Sequence, residues 1–206
     1  MDKFLLSSQQ VDQRARVNQL HFRNVDAACW ADFARLFEER GGPKSCWCMV
    51  WRASSAEAKC KDGSNRRAQI KSRVDGGIPI GLIGYMGEQP VAWCSIASRE
   101  TYRPLGGPAA DLATERIWSL ACLFIKRDHR GKGLTAELIT AAVAQAKAHK
   151  ATILEAYPVD ADSPSYRFMG FVDAFASAGF QEVGRVGQRR HVMRLILSDP
   201  AHQEGA

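Results

Sequence analysis

Between Leu123 and Ile139 the sequence reads LFIKRDHRGKGLTAELI, which sets Arg130, Gly131, Lys132, Gly133, Leu134 and Thr135 between an apolar run and a segment of helical periodicity. Glycine has no Cβ, so Gly131 and Gly133 let the backbone take positive φ and approach a ligand closely. A helix starting there presents its first four N–H groups without intrahelical partners, and its dipole adds roughly half a positive charge. With Arg130 and Lys132 at the rim, these residues in this order suit a pyrophosphate. Three or four charge-assisted hydrogen bonds of ~1.5–3 kcal/mol each would supply most of a micromolar affinity. Taken alone, RGKG is equally consistent with a basic surface turn that uses glycine for bending.

The two common phosphate signatures are absent. A Walker loop requires GxxxxGK followed by Ser or Thr, and a dinucleotide fingerprint requires GxGxxG; RGKGLT is neither. Cys46 and Cys48 in SCWCMVW, with Cys60 beyond, have no second CxxC and no nearby histidine. They are expected to be buried thiols, and no metal site is expected. Cys122 lies within an apolar run, where a thiol has a raised pKa and stays inert.

The elements around the loop are readable. Gln19–Arg23 forms a short strand, and Asp26 caps a helix that runs through Arg40 and stops at Gly41, Gly42 and Pro43. A second helix covers Asn65–Val74. IPIGLIGYM and VAWCSIAS, joined by GEQP, form an antiparallel hairpin. IWSLACLFI, residues 117–125, is apolar at nearly every position, as in a central strand covered on both faces. Beyond the loop, Leu134, Leu138, Ala141 or Ala142, and Ala146 recur at helical spacing. The strand ATILEAYP, a helix around Phe171–Ala178, and the strands QEVGRV and RHVMRLILS close the chain. Strand, phosphate-sized loop, helix and strand in that order is an α/β layer.

The 206 residues fit one domain, with polar tails over about 1–15 and 199–206. Hydrophobic residues make up 46% and charged residues 24%, the balance of an ordinary globular protein. No apolar run approaches the ~18 residues of a membrane span, and the first ten residues lack the basic region of a signal peptide. The expected location is therefore the cytoplasm, with six free cysteines and no membrane partner. The net charge of +6 favours an anionic ligand, but the cations are scattered without the aromatic interleaving of a nucleic-acid surface, so no nucleic-acid partner is expected.

RGKGLTAELI behind LACLFI resembles motif A (RxxGxG or RxxGxA) of the GNAT superfamily, the Gcn5-related N-acetyltransferases. The resemblance extends through the hairpin GYMGEQPVAWCSIA, the strand ILEAYP and AFASAGFQEVGR, residues 174–185, and so covers most of the chain. It implies a single GNAT-like α/β (α+β) domain with a mixed, mostly antiparallel central sheet flanked by helices. In such a domain two central strands splay to admit coenzyme A. Acetyl-CoA is the implied co-substrate. The backbone of Leu123, Phe124 and Ile125 would bond its pantetheine arm, and the amides from Arg130 through Gly131, Lys132, Gly133, Leu134 and Thr135 its pyrophosphate. The sequence departs from the family pattern at Thr135, usually Gly or Ala, and at Phe175, where many relatives carry the tyrosine that protonates the leaving thiolate.

The implied reaction is direct acetyl transfer, in a ternary complex, to the primary amine of a small molecule. A free alkylamine has a pKa near ~10.4, so a base is required. Glu115 is the leading candidate, with Asp111 and Glu155 in reserve. Tyr157 and Tyr166 are candidates for the hydroxyl missing at Phe175. Trp47, Trp51, Trp93, Tyr102 and Trp118 either wall the acceptor site, where they suit an amphipathic or cationic amine, or fill the core. A catalytically weak acyl-CoA-binding sensor is the alternative function, and a homodimer is the assembly that relatives suggest.

Overall fold

A computed structural model describes residues 20–111 and 114–197; the expected polar tails lie outside the described residues. Strand β1, Leu20–Asn24, is followed by a 3-10 turn, Ala27–Cys29, and helix α1, Trp30–Glu38. Asp26 caps as expected, but it caps the 3-10 turn, accepting from the Cys29 amide at 3.0 Å. The α-helix proper therefore begins one turn later. Helix α2, Gly63–Asp75, begins two residues before the expected Asn65 because the Asp62 carboxylate accepts from the Asn65 amide at 2.9 Å.

Strands β2, Leu82–Met86, and β3, Gln89–Ser98, form the hairpin, with Met86 opposite Gln89 across a two-residue turn. Strand β4, Ile117–Ile125, leads through a 3-10 turn, Arg127–His129, to helix α3, Leu134–Ala148, and strand β5, Ile153–Ala156. Helix α4, Val172–Ser177, and strands β6, Gln181–Val186, and β7, Arg190–Ile196, complete the described chain. The seven strands lie in the order β1-β2-β3-β4-β5-β7-β6. Every neighbouring pair is antiparallel except β4 with β5.

Helices α3 and α4 cover one face of the sheet, where Leu134, Leu138, Ile139, Ala142 and Phe175 pack on Leu120 and Leu154. On the other face, Phe33, Leu36 and Phe37 of α1 and Ile70 of α2 enclose Trp47, Met49 and Trp93. The expectation that β4 is covered on both faces along its length holds only for its first half: Ile117–Ala121 are buried, and residues 122–125 are half-buried. The reason is topological. The parallel ladder between β4 and β5 begins at Ile117 with Ile153 and ends at Leu120 with Ala156, after which the chain parts from β4 while staying with β7, where the His191 amide donates to the Pro158 carbonyl at 2.9 Å. Strand β4 continues alongside β3 as far as Ile125, opposite Ala92.

Candidate functional site

The loop after β4 is held open by its own backbone. Gly131 and Gly133 both take left-handed conformations, with φ of 74° and 79°. A Cβ at either would meet no protein atom within 4 Å, so the space above the loop is clear. The first hydrogen bond of α3 runs from the Ala136 amide to the Gly133 carbonyl at 3.0 Å. The amides of residues 131–135 donate to no acceptor among the described residues. Five successive unpaired N–H groups at a helix start form a concave, partly positive surface of the kind that takes phosphate oxygens.

The flanking cations divide the work. Arg130 folds back, its Nε donating to the Ile125 carbonyl at 2.9 Å, which ties the loop to the end of β4. Lys132 is exposed and lies near His129, whose pKa is lowered first by burial and then by the charges of Lys132 and Lys126. The His129 Nδ1 is buried without a partner. These residues fit a diphosphate.

The strand leading to the loop offers an edge. Beyond Leu120, β4 has no partner from β5, and the 3-10 turn Arg167–Met169 lies alongside. Leu123 and Ile125 point toward the α3 face, whereas Cys122 and Phe124 point toward the α1 face. Between Ser95 and Ile96 the register with β3 shifts by one residue, leaving Ala121 as a β-bulge. The gap, the bulge and the anion loop thus occur in order along one strand.

On the α1 face the gap opens into a cavity of about 220 Å³ bounded by Cys46, Val50, Trp51, Ala121, Cys122 and Phe168. The Cys48 thiol accepts from Trp93 Nε1 at 2.9 Å, and consecutive left-handed residues, Trp47 and Cys48 with φ of 45° and 52°, wind this segment against β4. Of the five aromatic residues weighed as an acceptor wall, Trp51 lines this cavity. Trp47 and Trp93 belong to the core under α1, Trp118 to the core under α3, and Tyr102 is buried beneath Arg52.

The structure separates the acid–base candidates. Glu115 precedes β4, five residues before Leu120, about 16 Å from the point of divergence at ~3.3 Å per residue. Its Oε2 accepts from the Asp111 amide at 3.0 Å, and it lines a different hollow of about 670 Å³. Glu155 is fully buried, bound by Arg194 Nε at 2.7 Å and by Arg99 at 3.4 Å. The Tyr157 hydroxyl donates to Glu155 Oε1 at 2.5 Å, so its other contact, at 2.9 Å, is one in which Ser119 donates to it. Burial, and then the Glu155 charge, raise the pKa of Tyr157. Its hydroxyl is committed to a buried network that sequence periodicity gives no means of seeing.

Tyr166 stands at the other end of this range, 37% exposed, with φ of 59°. Its ring lies 6.3 Å from Trp51 and 6.3 Å from Phe168, both of which line the cavity. Phe175 is fully buried and meets Phe180 edge-on at 5.2 Å. The structure therefore sets Leu123, on the strand that leads to the loop, and Phe175 about Gly170, places Tyr166 beside Trp51 and Phe168 of the cavity, and sets Glu115 apart. Ala121 and Val50 enter the site unannounced, and Cys122, weighed from the sequence as an inert thiol, lines it as well; the bulge at Ala121 has no local sequence signal.

The sequence profile of the acetyltransferase (GNAT) family matches residues 36–171. No curated protein matches the chain. Among solved structures, the chain is similar to yncA from Salmonella typhimurium, described as an acetyltransferase and solved with its cofactor acetyl-CoA. That pair shares 17% identity over 92% of this chain and 100% of the other, with a TM-score of 0.52. It is also similar to an N-acetyltransferase from Staphylococcus aureus Mu50, at 11% identity over 88% and 100% of the two chains, TM-score 0.53. A third likeness is to an aminoglycoside N(6')acetyltransferase from Legionella pneumophila, at 16% identity over 87% and 92%, TM-score 0.53. No helix among the described residues is long and apolar enough to cross a membrane.

Proposed function

Because this chain belongs to the acetyltransferase (GNAT) family, we propose that it transfers an acetyl group from acetyl-CoA directly to the primary amine of a small molecule within a ternary complex. The observation that carries this reading is the run of unpaired amides from Gly131 to Thr135 at the end of a strand whose neighbour has left it. The amides receive the diphosphate, and Leu123, Phe124 and Ile125 offer backbone groups to an extended pantetheine arm, as a strand edge does to an added strand. Bound in that way, acetyl-CoA supplies an activated acyl group.

The residues of the chain then orient and enclose. The diphosphate grip and the strand edge fix one reactant, and the cavity walled by Trp51, Cys122 and Phe168 holds the amine beside it. Such orientation contributes ~7–11 kcal/mol to a two-reactant step. The amine nitrogen forms the new C–N bond, the C–S bond breaks, and the proton lost by the nitrogen to solvent balances the one that the departing thiolate takes up. We assign protonation of the thiolate to Tyr166, whose ring borders the cavity through Trp51 and Phe168. The test is isothermal titration with CoA, followed by thiol release from acetyl-CoA over a panel of amines.

One observation favours a second reading, a catalytically weak acyl-CoA sensor: Phe175 has no hydroxyl, and no carboxylate lines the cavity. In that case CoA raises the melting temperature and no amine gives turnover. One efficient acceptor removes it.

A further inference from the structure

The cavity at the gap has an unusual charge environment. Its lining is apolar, with Trp51, Val50, Leu123, Phe124 and Phe168 among its walls, apart from three thiols and Ser95. Cys46 is raised above the ordinary thiol range by its bond with Cys48 and by burial, and Cys48 by its contact with Cys122 and by burial. Both stay protonated and neutral. No side chain in the wall carries negative charge.

Two arginines stand behind this wall. Arg52 is 3% exposed, and its Nη2 donates to Ser95 Oγ at 3.0 Å, to the Ile80 carbonyl at 2.7 Å and to Tyr102 Oη at 2.5 Å. Its Nη1 reaches Thr101 Oγ1 at 3.4 Å, and its Nε has no partner. Arg190 is 9% exposed, donates to the Leu105 carbonyl at 2.9 Å, and lies 4.7 Å from the Trp51 ring and 5.4 Å from the Tyr166 ring. Neither guanidinium has a carboxylate partner among the described residues. Buried cations without counter-charge repel a third. The attraction of the Trp51 ring for a cation is already engaged by Arg190.

We propose that the acceptor is a compact, apolar, weakly basic monoamine of the arylamine type, which enters this cavity uncharged, and that polyamines and aminoglycosides are rejected. This rests on the acetyl-CoA reading above. At about 220 Å³ the cavity is smaller than typical drug-sized sites and suits one ring beside an acyl group. An amine that is already neutral needs no carboxylate base, which accounts for a wall without one.

The test compares aniline, spermidine and kanamycin as acceptors with the full-length protein and acetyl-CoA, following thiol release, alongside titration of each amine into the CoA-saturated protein. Aniline is expected to exceed the two polycations at least tenfold in kcat/KM and to bind measurably where they do not. Equal or better turnover of spermidine or kanamycin overturns the proposal. Val50, 41% exposed on the cavity wall, tolerates a charge, and Val50→Glu is expected to shift the aniline-to-spermidine ratio at least tenfold toward spermidine. An unchanged ratio in a variant that still binds CoA also overturns it. If CoA stabilises the protein and aniline is not acetylated, this inference fails alone; if CoA does not bind at all, the acetyl-CoA reading fails with it.

Discussion

Gly170 lies directly over Phe175: a Cβ on Gly170 would stand 2.7 Å from Phe175 Cε2 and 3.1 Å from Leu123 Cδ1. The Phe175 ring, where the sequence resemblance implies a tyrosine, thus packs beneath Gly170, with Leu123 beside the same glycine. The tyrosine beside the cavity is instead Tyr166, whose ring lies 6.3 Å from those of Trp51 and Phe168. Tyr166→Phe is expected to lower kcat by ~10²-fold, the usual scale of general acid catalysis, with little change in CoA affinity. Adding Phe175→Tyr to that variant is expected to recover part of the loss. Tyr157→Phe should leave kcat within about twofold and instead destabilise the fold by ~1–3 kcal/mol, since it removes the donor to Glu155. Steady-state kinetics and urea unfolding on the same three proteins separate the roles.

The anion loop depends on backbone conformation more than on side-chain charge. A side chain at position 133 would have to adopt φ near 79°, at a cost of ~1–2 kcal/mol or more when β-branched, although its Cβ would meet no neighbouring atom. Gly133→Val is expected to weaken CoA binding at least tenfold by turning the amides away. Arg130→Ala should weaken it only several-fold, because that side chain braces Ile125. Calorimetric titration of CoA reads both, and equal losses would refute the backbone account.

Glu155 is a structural residue by the same geometry. A fully buried carboxylate shared by Arg99 and Arg194 leaves two uncompensated cations when removed. Glu155→Ala is therefore expected to cost ~3–5 kcal/mol in urea unfolding. Gly107 presses on the same carboxylate: its φ is 97°, and an added Cβ would lie 2.8 Å from Glu155 Oε2. Gly107→Ala should destabilise in the same direction by a smaller amount.

The legible parts of this protein are those set by local chemistry. The limits of β4 follow from an apolar run ending at a charged turn, and the limits of α3 from two glycines and a helical repeat. The anion loop was readable for the same reason, since its function lies in consecutive backbone groups. What was not legible depends on long-range pairing. The burial of Tyr157 and Glu155 arises because β7 brings Arg194 across from Glu155, and Ser119 comes from a strand 38 residues away. The displacement of Glu115 from the gap follows from where the β4–β5 ladder ends, which no spacing in the sequence encodes.

Stability should carry an acid limb from Glu57. Both its oxygens accept from Arg73, each at 2.8 Å, and Arg73 holds its pKa down from 4.5 to about 2. Between those values the unfolded chain binds more protons than the folded one, so stability rises with pH there. The contribution is complete above ~pH 5 and is lost as pH falls toward about 2; for a partly exposed pair it amounts to ~1 kcal/mol. Unfolding midpoints of Glu57→Gln and the parent protein from pH 2 to 6 should converge at the acid end and separate above pH 4.5. Parallel curves would contradict this assignment.

If the amides of residues 131–135 grip a diphosphate, they lay a thioester into the gap beyond Leu120 and Ala156. A crystal structure with coenzyme A bound tests it most directly. Phosphate oxygens are expected within hydrogen-bonding distance of those amides, and the pantetheine arm along residues 123–125. A structure in which the nucleotide lies elsewhere, with the gap closed by protein side chains, would contradict it.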